Sequence, residues 1–243
     1  MSVTGIVAAL TAEARTLLPV QPARVSAVGG SAIHTLRNGD LLIVSGMGSA
    51  AATRAARTLV AAGARALLSF GLAGALDPAL GAGAVLLPAA VTDGAGTVHA
   101  AYDPWRERLA ALQLAHGNTH ALIVEGALLS LAVPLTTPLG KSQARARTGA
   151  VAVDMESFAI AQVAVEQGVK FAVARVVVDT AADSLPEIVL QATDLQGEVD
   201  YRLLASGLLR RPPELLALLR LAQRYRVAMR SLRALAAAGL GSS

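Results

Sequence analysis

The chain of 243 residues contains no cysteine. That excludes disulfides, thiol nucleophiles and thiolate metal sites, and it is compatible with a cytoplasmic location. Aromatic residues make up only 3%. So little is available to stack on bases that nucleic acid is not expected as a partner. No apolar run reaches about 18 residues without a charge or a helix breaker, which argues against a membrane-spanning helix. The opening MSVTGIVAAL lacks a basic n-region and a clear cleavage site, so it does not read as a secretion signal. The four histidines, His34, His99, His116 and His120, show no metal-ligand spacing, and none adjoins a serine or an acid as in a triad. HExxH and the nucleophile elbow are both missing. Neither a metal nor another cofactor is expected.

What the chain does contain is apolar residues, at 54%, against 16% charged. Such a chain is too apolar for disorder and long enough to bury the core of one large α/β domain. Much of the excess is alanine, a good helix former, so the high mean hydropathy does not imply a membrane protein. The net charge of +4 is unevenly spread: from Arg202 onward there are eight arginines and a single acid, Glu214.

Strand-like apolar runs occur at about 4–9, 41–46, 66–71, 84–91, 121–125, 149–153 and 171–178, with helical patterns at about 49–62, 104–115, 156–167 and 187–209. This alternation predicts an α/β fold, a mixed central sheet flanked by helices on both faces, with ligands beyond the carboxyl ends of the strands. Arg211-Pro212-Pro213 is the one sharp break, separating a domain at 1–209 from an extension at 210–243. The extension predicts a helix over about 214–237. Leu218, Leu221, Tyr225, Ala228, Leu232 and Leu235 form one apolar stripe, with Arg220, Arg224, Arg226, Arg230 and Arg233 largely on the other half. Two uses of such a helix stay open. It docks on its own domain or a partner subunit, or it contacts a membrane surface or a lipid-like substrate.

Acids at strand ends mark the candidate site. Glu13 follows the first strand, and Glu156 lies in Val153-Asp154-Met155-Glu156-Ser157. Asp179 ends the run Arg175-Val176-Val177-Val178-Asp179. Acids held apart by environment can bind hydroxyls and deliver protons. Each also has a plainer explanation: Glu13 as a first-turn acid, Glu156 as a helix cap, Arg175 and Asp179 as a structural ion pair four residues apart. The small-residue turns Ser45-Gly46-Met47-Gly48-Ser49 and Ser69-Phe70-Gly71-Leu72-Ala73-Gly74 follow strands. They either expose backbone to a ligand or simply pack tightly.

In this order, Glu13, SGMG, FGLAGAL, VDMES and RVVVD resemble the nucleoside phosphorylase/nucleosidase family over about residues 3–185. The most similar branch is that of methylthioadenosine/S-adenosylhomocysteine nucleosidases. Within it, AVDMES, the arginine-rich extension and the absence of an aromatic base loop are similar to the hopanoid-associated members, which act on adenosylhopane. The resemblance implies cleavage of a purine N-glycosidic bond in a homodimer or larger homo-oligomer. It implies that Glu13 activates the attacking water, that Met155 and Glu156 clamp the ribose and that Asp179 serves purine N7. Arg175 would support the nucleophile region, with Ala73, Gly74 and Val133 also at the substrate. Phe70 and Leu72 stand where related phosphorylases carry arginine and serine, so hydrolysis is expected over phosphorolysis. The alternatives are a phosphorylase in which Arg15 or Arg54 contacts the anion, or a non-catalytic nucleoside- or lipid-binding relative. The resemblance implies a lipid-like 5′ group, and peripheral contact with the inner face of the membrane stays one of the two open uses of the extension.

Overall fold

Three apolar runs, β1 (Thr4–Ala8), β5 (Ala66–Ala75) and β11 (Lys170–Asp179), are buried on both faces, as parallel strands between helices must be. Their side chains alternate between two cores. Val7, Leu67, Phe171, Val173 and Val177 enter one, while Ile6, Ala8, Leu68, Phe70, Ala172, Ala174 and Val176 enter the other. The computed structural model describes residues 2–18, 24–28, 31–115, 126–185 and 214–241.

Among these residues eleven strands form one sheet. The others are β2 (Arg24–Val28), β3 (Ser31–Thr35), β4 (Leu41–Val44), β6 (Val85–Leu86), β7 (Ala90–Thr92), β8 (Val98–Ala100), β9 (Ala127–Ser130) and β10 (Ala152–Asp154). The main path runs β2-β3-β4-β1-β5-β10-β9-β7-β8, with β11 on β5 and β6 on β11. β5 pairs in parallel with β1 and β11, and its far end pairs antiparallel with β10. The carboxyl ends of β1 and β11 therefore open beside the second half of β5.

Helices α2 (Ser49–Ala61) and α5 (Ser157–Gln167) cover the first core, through Ala52, Ala56, Leu59, Ile160 and Val163. The second core is closed by α1 (Thr11–Ala14), α3 (Asp103–Ala115) and α6 (Glu214–Ala238). Trp105 and Leu109 of α3 share that core with Ala228, Met229, Leu232 and Leu235 of α6. Trp105 Nε1 also donates to Leu240 O at 3.1 Å, beyond the helix end. The C-terminal half of the predicted stripe is thus buried in the chain's own core, while Tyr225 stays 37% exposed.

The mixed sheet with helices on both faces is as expected. One predicted strand divides: 84–91 becomes β6, paired with β11, and β7, paired with β9, with Pro88 between them. Proline lacks the N–H that a continuous strand would need there. The β2–β3 hairpin, β8 and α4 (Pro138–Thr148) were not anticipated. The predicted elements at 121–125 and 187–209 lie outside the described residues.

Leu232, fully buried, anchors α6. Leu232→Ala is expected to lower unfolding free energy by about 2–5 kcal/mol in a denaturant titration. Arg230→Ala, on the exposed side of the same helix, should change it by less than about 0.5 kcal/mol.

Candidate active site

The site is organised around Arg175, which is 1% exposed. Its Nη2 reaches Asp154 Oδ2 at 2.7 Å, Ser69 Oγ at 2.9 Å, and Glu156 Oε2 and Ser157 Oγ at 3.4 Å. Nη1 donates to Leu72 O at 3.2 Å. Arg175 lies opposite Gly71 in the β11–β5 register. A Cβ at Gly71, where φ is +153°, would fall 2.4 Å from Glu13 Oε1 and 2.7 Å from Arg175 Nη1. Glycine is what allows these two charged groups to meet across the strand.

Glu13 is held from two directions. Leu10 N–H donates to Oε2 at 3.0 Å, closing the turn of α1. Leu72 N–H donates to Oε1 at 2.9 Å from β5. Burial raises its pKa, opposed by the Arg175 charge and these amide bonds. Glu156 stands at the N-cap of α5, yet its carboxylate makes no capping bond there. Instead Oε1 accepts from Gly48 N–H at 2.9 Å, in the turn between β4 and α2. Burial pushes its pKa up to about 7, with Arg175 opposing and Asp154 adding to the rise. Asp154 accepts from the Ser130 and Ser157 hydroxyls and from Ser157 N–H. Ser157 in turn bonds Ser69 at 2.8 Å. Three buried carboxylates therefore share one guanidinium, which leaves negative charge in excess even when Glu156 holds a proton.

A second group lies farther along β5. The β11–β5 register shifts between Val177 and Asp179, which brings Asp179 opposite Gly74. Such an irregularity re-aims a side chain at a strand end. A Cβ at Gly74 would lie 3.1 Å from Asp179 Oδ2. Lys141 of α4 is fully buried and donates to Asp179 Oδ2. Its Nζ also donates to Thr180 O at 2.7 Å and Asp183 O at 3.2 Å. Burial raises the Asp179 pKa, opposed chiefly by Lys141 and more weakly by the Arg224 charge. Arg224 of α6 pairs with Asp183, whose carboxylate also accepts from Thr180 N–H and Oγ1 at 2.8 Å each.

Of the residues read from the sequence, Glu13, Glu156 and Arg175 come together, and Asp179 faces Gly74 with Ala73 buried beside it on β5. Met155 is half-buried next to Glu156, and Val133 is 67% exposed on the loop between β9 and α4. Three plainer explanations need correcting. Arg175 and Asp179 do not pair, because Arg175 turns to Asp154 and Glu156 while Asp179 turns to Lys141. Glu156 does not cap its helix, and the Gly48 amide binds that carboxylate. Glu13 does more than complement a helix end, because it bonds across to β5. Sequence reasoning gave no role to Lys141, nor to Asp154, Ser69 and Ser157 within their motifs. One signal existed for Lys141: it is one of only two lysines in the chain, and it sits in an uncharged stretch. An apolar groove of about 700 Å3 beside α4, lined by Leu76, Pro78, Pro138, Leu139 and Ala181 among others, contains none of these carboxylates.

A family model, that of the phosphorylase superfamily, matches residues 5–205. Comparison with curated protein sequences returns no match. Among solved structures, the S-adenosylhomocysteine nucleosidase of Streptococcus pyogenes with 5-methylthiotubericidin is 25% identical, with a TM-score of 0.68, over 74% of this chain and 85% of that one. The 5′-methylthioadenosine/S-adenosylhomocysteine nucleosidase of Neisseria meningitidis with methylthio-immucillin-A is 18% identical, with a TM-score of 0.75, over 98% of both chains. Futalosine hydrolase of Helicobacter pylori is 18% identical, with a TM-score of 0.67, over 96% of this chain and 97% of that one.

Glu13, Glu156 and Asp179 all hold their protons more tightly folded than unfolded. Between the unfolded and folded values the native state binds more protons, so stability falls as pH rises. The midpoint of thermal unfolding should therefore drop between about pH 4.5 and about 7. Glu156→Gln should flatten that drop; an unchanged slope would show that Glu156 does not titrate in this window.

Proposed function

The chain belongs to the phosphorylase superfamily, and on that premise we propose that it is a purine nucleosidase. It cleaves the N-glycosidic bond of a 5′-substituted adenosine with water and releases adenine. The observation that carries this reading is the surplus of buried carboxylate around Arg175, set along β5 from a buried acid–lysine pair. Gly71 and Gly74 mark the two ends, and the three-residue step from one to the other spans roughly 10 Å. A nucleoside fits that span, with its ribose at one end and its base at the other.

The chemistry follows from the charges. As the C1′–N9 bond stretches, positive charge develops on the ribose and negative charge on the purine. The carboxylates of Glu13, Asp154 and Glu156 favour the first, and proton delivery to N7 by Asp179 relieves the second. Glu156 accepts from the ribose hydroxyls beside Met155. Glu13 takes the proton of the attacking water, and Arg175 with the Leu72 and Leu10 amides favours its ionised form. Ala73, Gly74 and Val133 border the substrate.

Water is the nucleophile in this reading. Both Nη atoms of Arg175 are already engaged, by Asp154, Glu156, Ser69 and Leu72 O, and Nε is buried. Leu72 presents an alkyl side chain, and both Arg15 and Arg54 are exposed. A phosphate dianion would lack the charge-assisted donors it needs. A large apolar 5′ group, as in adenosylhopane, is favoured by the AVDMES motif and the arginine-rich extension. The exposed Arg220, Arg226 and Arg230 of α6 would attract the chain to an anionic membrane surface holding such a lipid. Among the described residues no helix is long and apolar enough to cross a membrane. A homodimer or larger homo-oligomer is part of the same proposal.

Incubation with adenosylhopane and with methylthioadenosine, with and without phosphate, should release free adenine at the same rate in both buffers. Strict phosphate dependence, with a ribose-1-phosphate-type product, would overturn the hydrolytic assignment. Asp179→Asn should slow adenine release by about 10²–10⁴-fold while the chain remains folded by circular dichroism. Undiminished release would remove Asp179 from its role.

A further inference from the structure

Resting on the reading of Asp179 as the acid at the purine, we propose that Lys141 is the proton store for Asp179. Asp179 touches the base, and Lys141 acts through it, as a positioning residue. The arrangement of Nζ carries the proposal. An ammonium group has three N–H donors, and each has one acceptor here: Asp179 Oδ2, Thr180 O and Asp183 O. Two of the three are backbone carbonyls. They remain good partners for a neutral amine, which keeps two N–H bonds and turns its lone pair to Asp179.

The proton balance closes without another reactant. The C1′–N9 bond breaks, and its electron pair leaves with the purine. A proton moves from Lys141 Nζ to Asp179 Oδ2 and from Asp179 to purine N7. The water oxygen bonds to C1′ and gives its proton to Glu13. Solvent then takes the Glu13 proton and restores the one lost by Lys141.

Stability alone gives a weak reason for this pair. A buried ion pair is commonly no more stabilising than apolar side chains of similar volume. α4 has its own N-terminal determinants, Pro138 and the Thr137 hydroxyl accepting from Gly140 N–H at 3.1 Å, and needs no lysine to form. The charged groups that face Asp179 are Lys141 from α4 and Arg224 from α6, with Asp183 bonded to both. Arg224 is held on the Asp183 carboxylate, whereas Lys141 Nζ is bonded to Asp179 itself, so Lys141 is the member of this group placed to hand it a proton.

The test compares Lys141→Met with the wild-type chain on a 5′-substituted adenosine across pH 5 to 9. Without its store, Asp179 delivers a proton only where it is itself protonated. The ratio of wild-type to variant kcat should therefore be within a few-fold at the acid end and rise to about 10²-fold or more at the alkaline end. Taking the ratio removes the titrations of Glu13 and Glu156, which the two proteins share. A loss that is uniform with pH would mark Lys141 as merely structural, and no loss would remove it altogether. Lys141→Arg, which keeps a cation but cannot release a proton, should show the same pH-dependent loss and serves if the methionine variant does not fold. Wild-type rates from the arginine variant would overturn the store in favour of a fixed charge. A wild-type chain that releases no adenine from any such nucleoside overturns the nucleosidase reading and this inference together. An active wild type with a uniform ratio overturns the inference alone.

Discussion

The buried guanidinium of Arg175 is the interaction on which the candidate site depends. Asp154 and Glu156 lie against its Nη2, Leu72 O against its Nη1, and its charge is the main force holding Glu13 toward the ionised form. Removing one partner of such a cluster leaves uncompensated charge in the interior, which commonly costs about 3–5 kcal/mol. The surrounding elements are consistent with that constraint. β5 carries glycine where the arginine and Glu13 converge, Asp154 is saturated by two serine hydroxyls, and the Gly48 amide takes the free oxygen of Glu156. Charge at this end of the sheet remains tilted toward the negative. A site so tilted favours a ligand that becomes cationic in the transition state.

The far end of β5 is built differently. There one carboxylate meets one ammonium, and the surrounding acceptors are backbone carbonyls and Asp183. Asp179 reaches that position because β11 slips against β5 after Val177. α4 supplies Lys141, and α6 supplies Arg224 to the same loop. The C-terminal helix is therefore joined to the acid in two ways, through the core under Leu232 and through the Arg224–Asp183 pair.

Much of this was legible in the sequence, and the failures have physical causes. The long buried strands, α2, α3, α5 and the helix under Leu232 followed from apolar periodicity, which burial on two faces enforces. Glu13, Glu156, Arg175 and Asp179 stood out because acids and an arginine at apolar strand ends demand partners. Which partner each takes was not legible. Arg175 and Asp179, four apart, share a strand face only if the strand is regular, and the slip after Val177 ends that regularity. Lys141 was missed because its acceptors lie about 40 residues away on the β11 loop, a contact only the folded sheet creates. The β2–β3 hairpin was passed over because its short strands lack a clear apolar alternation.

On the proposed function, the carboxylates around Arg175 serve a ribosyl group that turns cationic. The measurement that tests this role most directly is calorimetric affinity for two adenine-bearing analogues that differ only at the sugar ring. One has a protonated ring nitrogen, and the other is its neutral carbocyclic counterpart. The cation is expected to bind at least about 10²-fold more tightly, as transition-state analogues do, and Glu156→Gln to narrow the gap. Equal affinity for the two analogues would contradict that role.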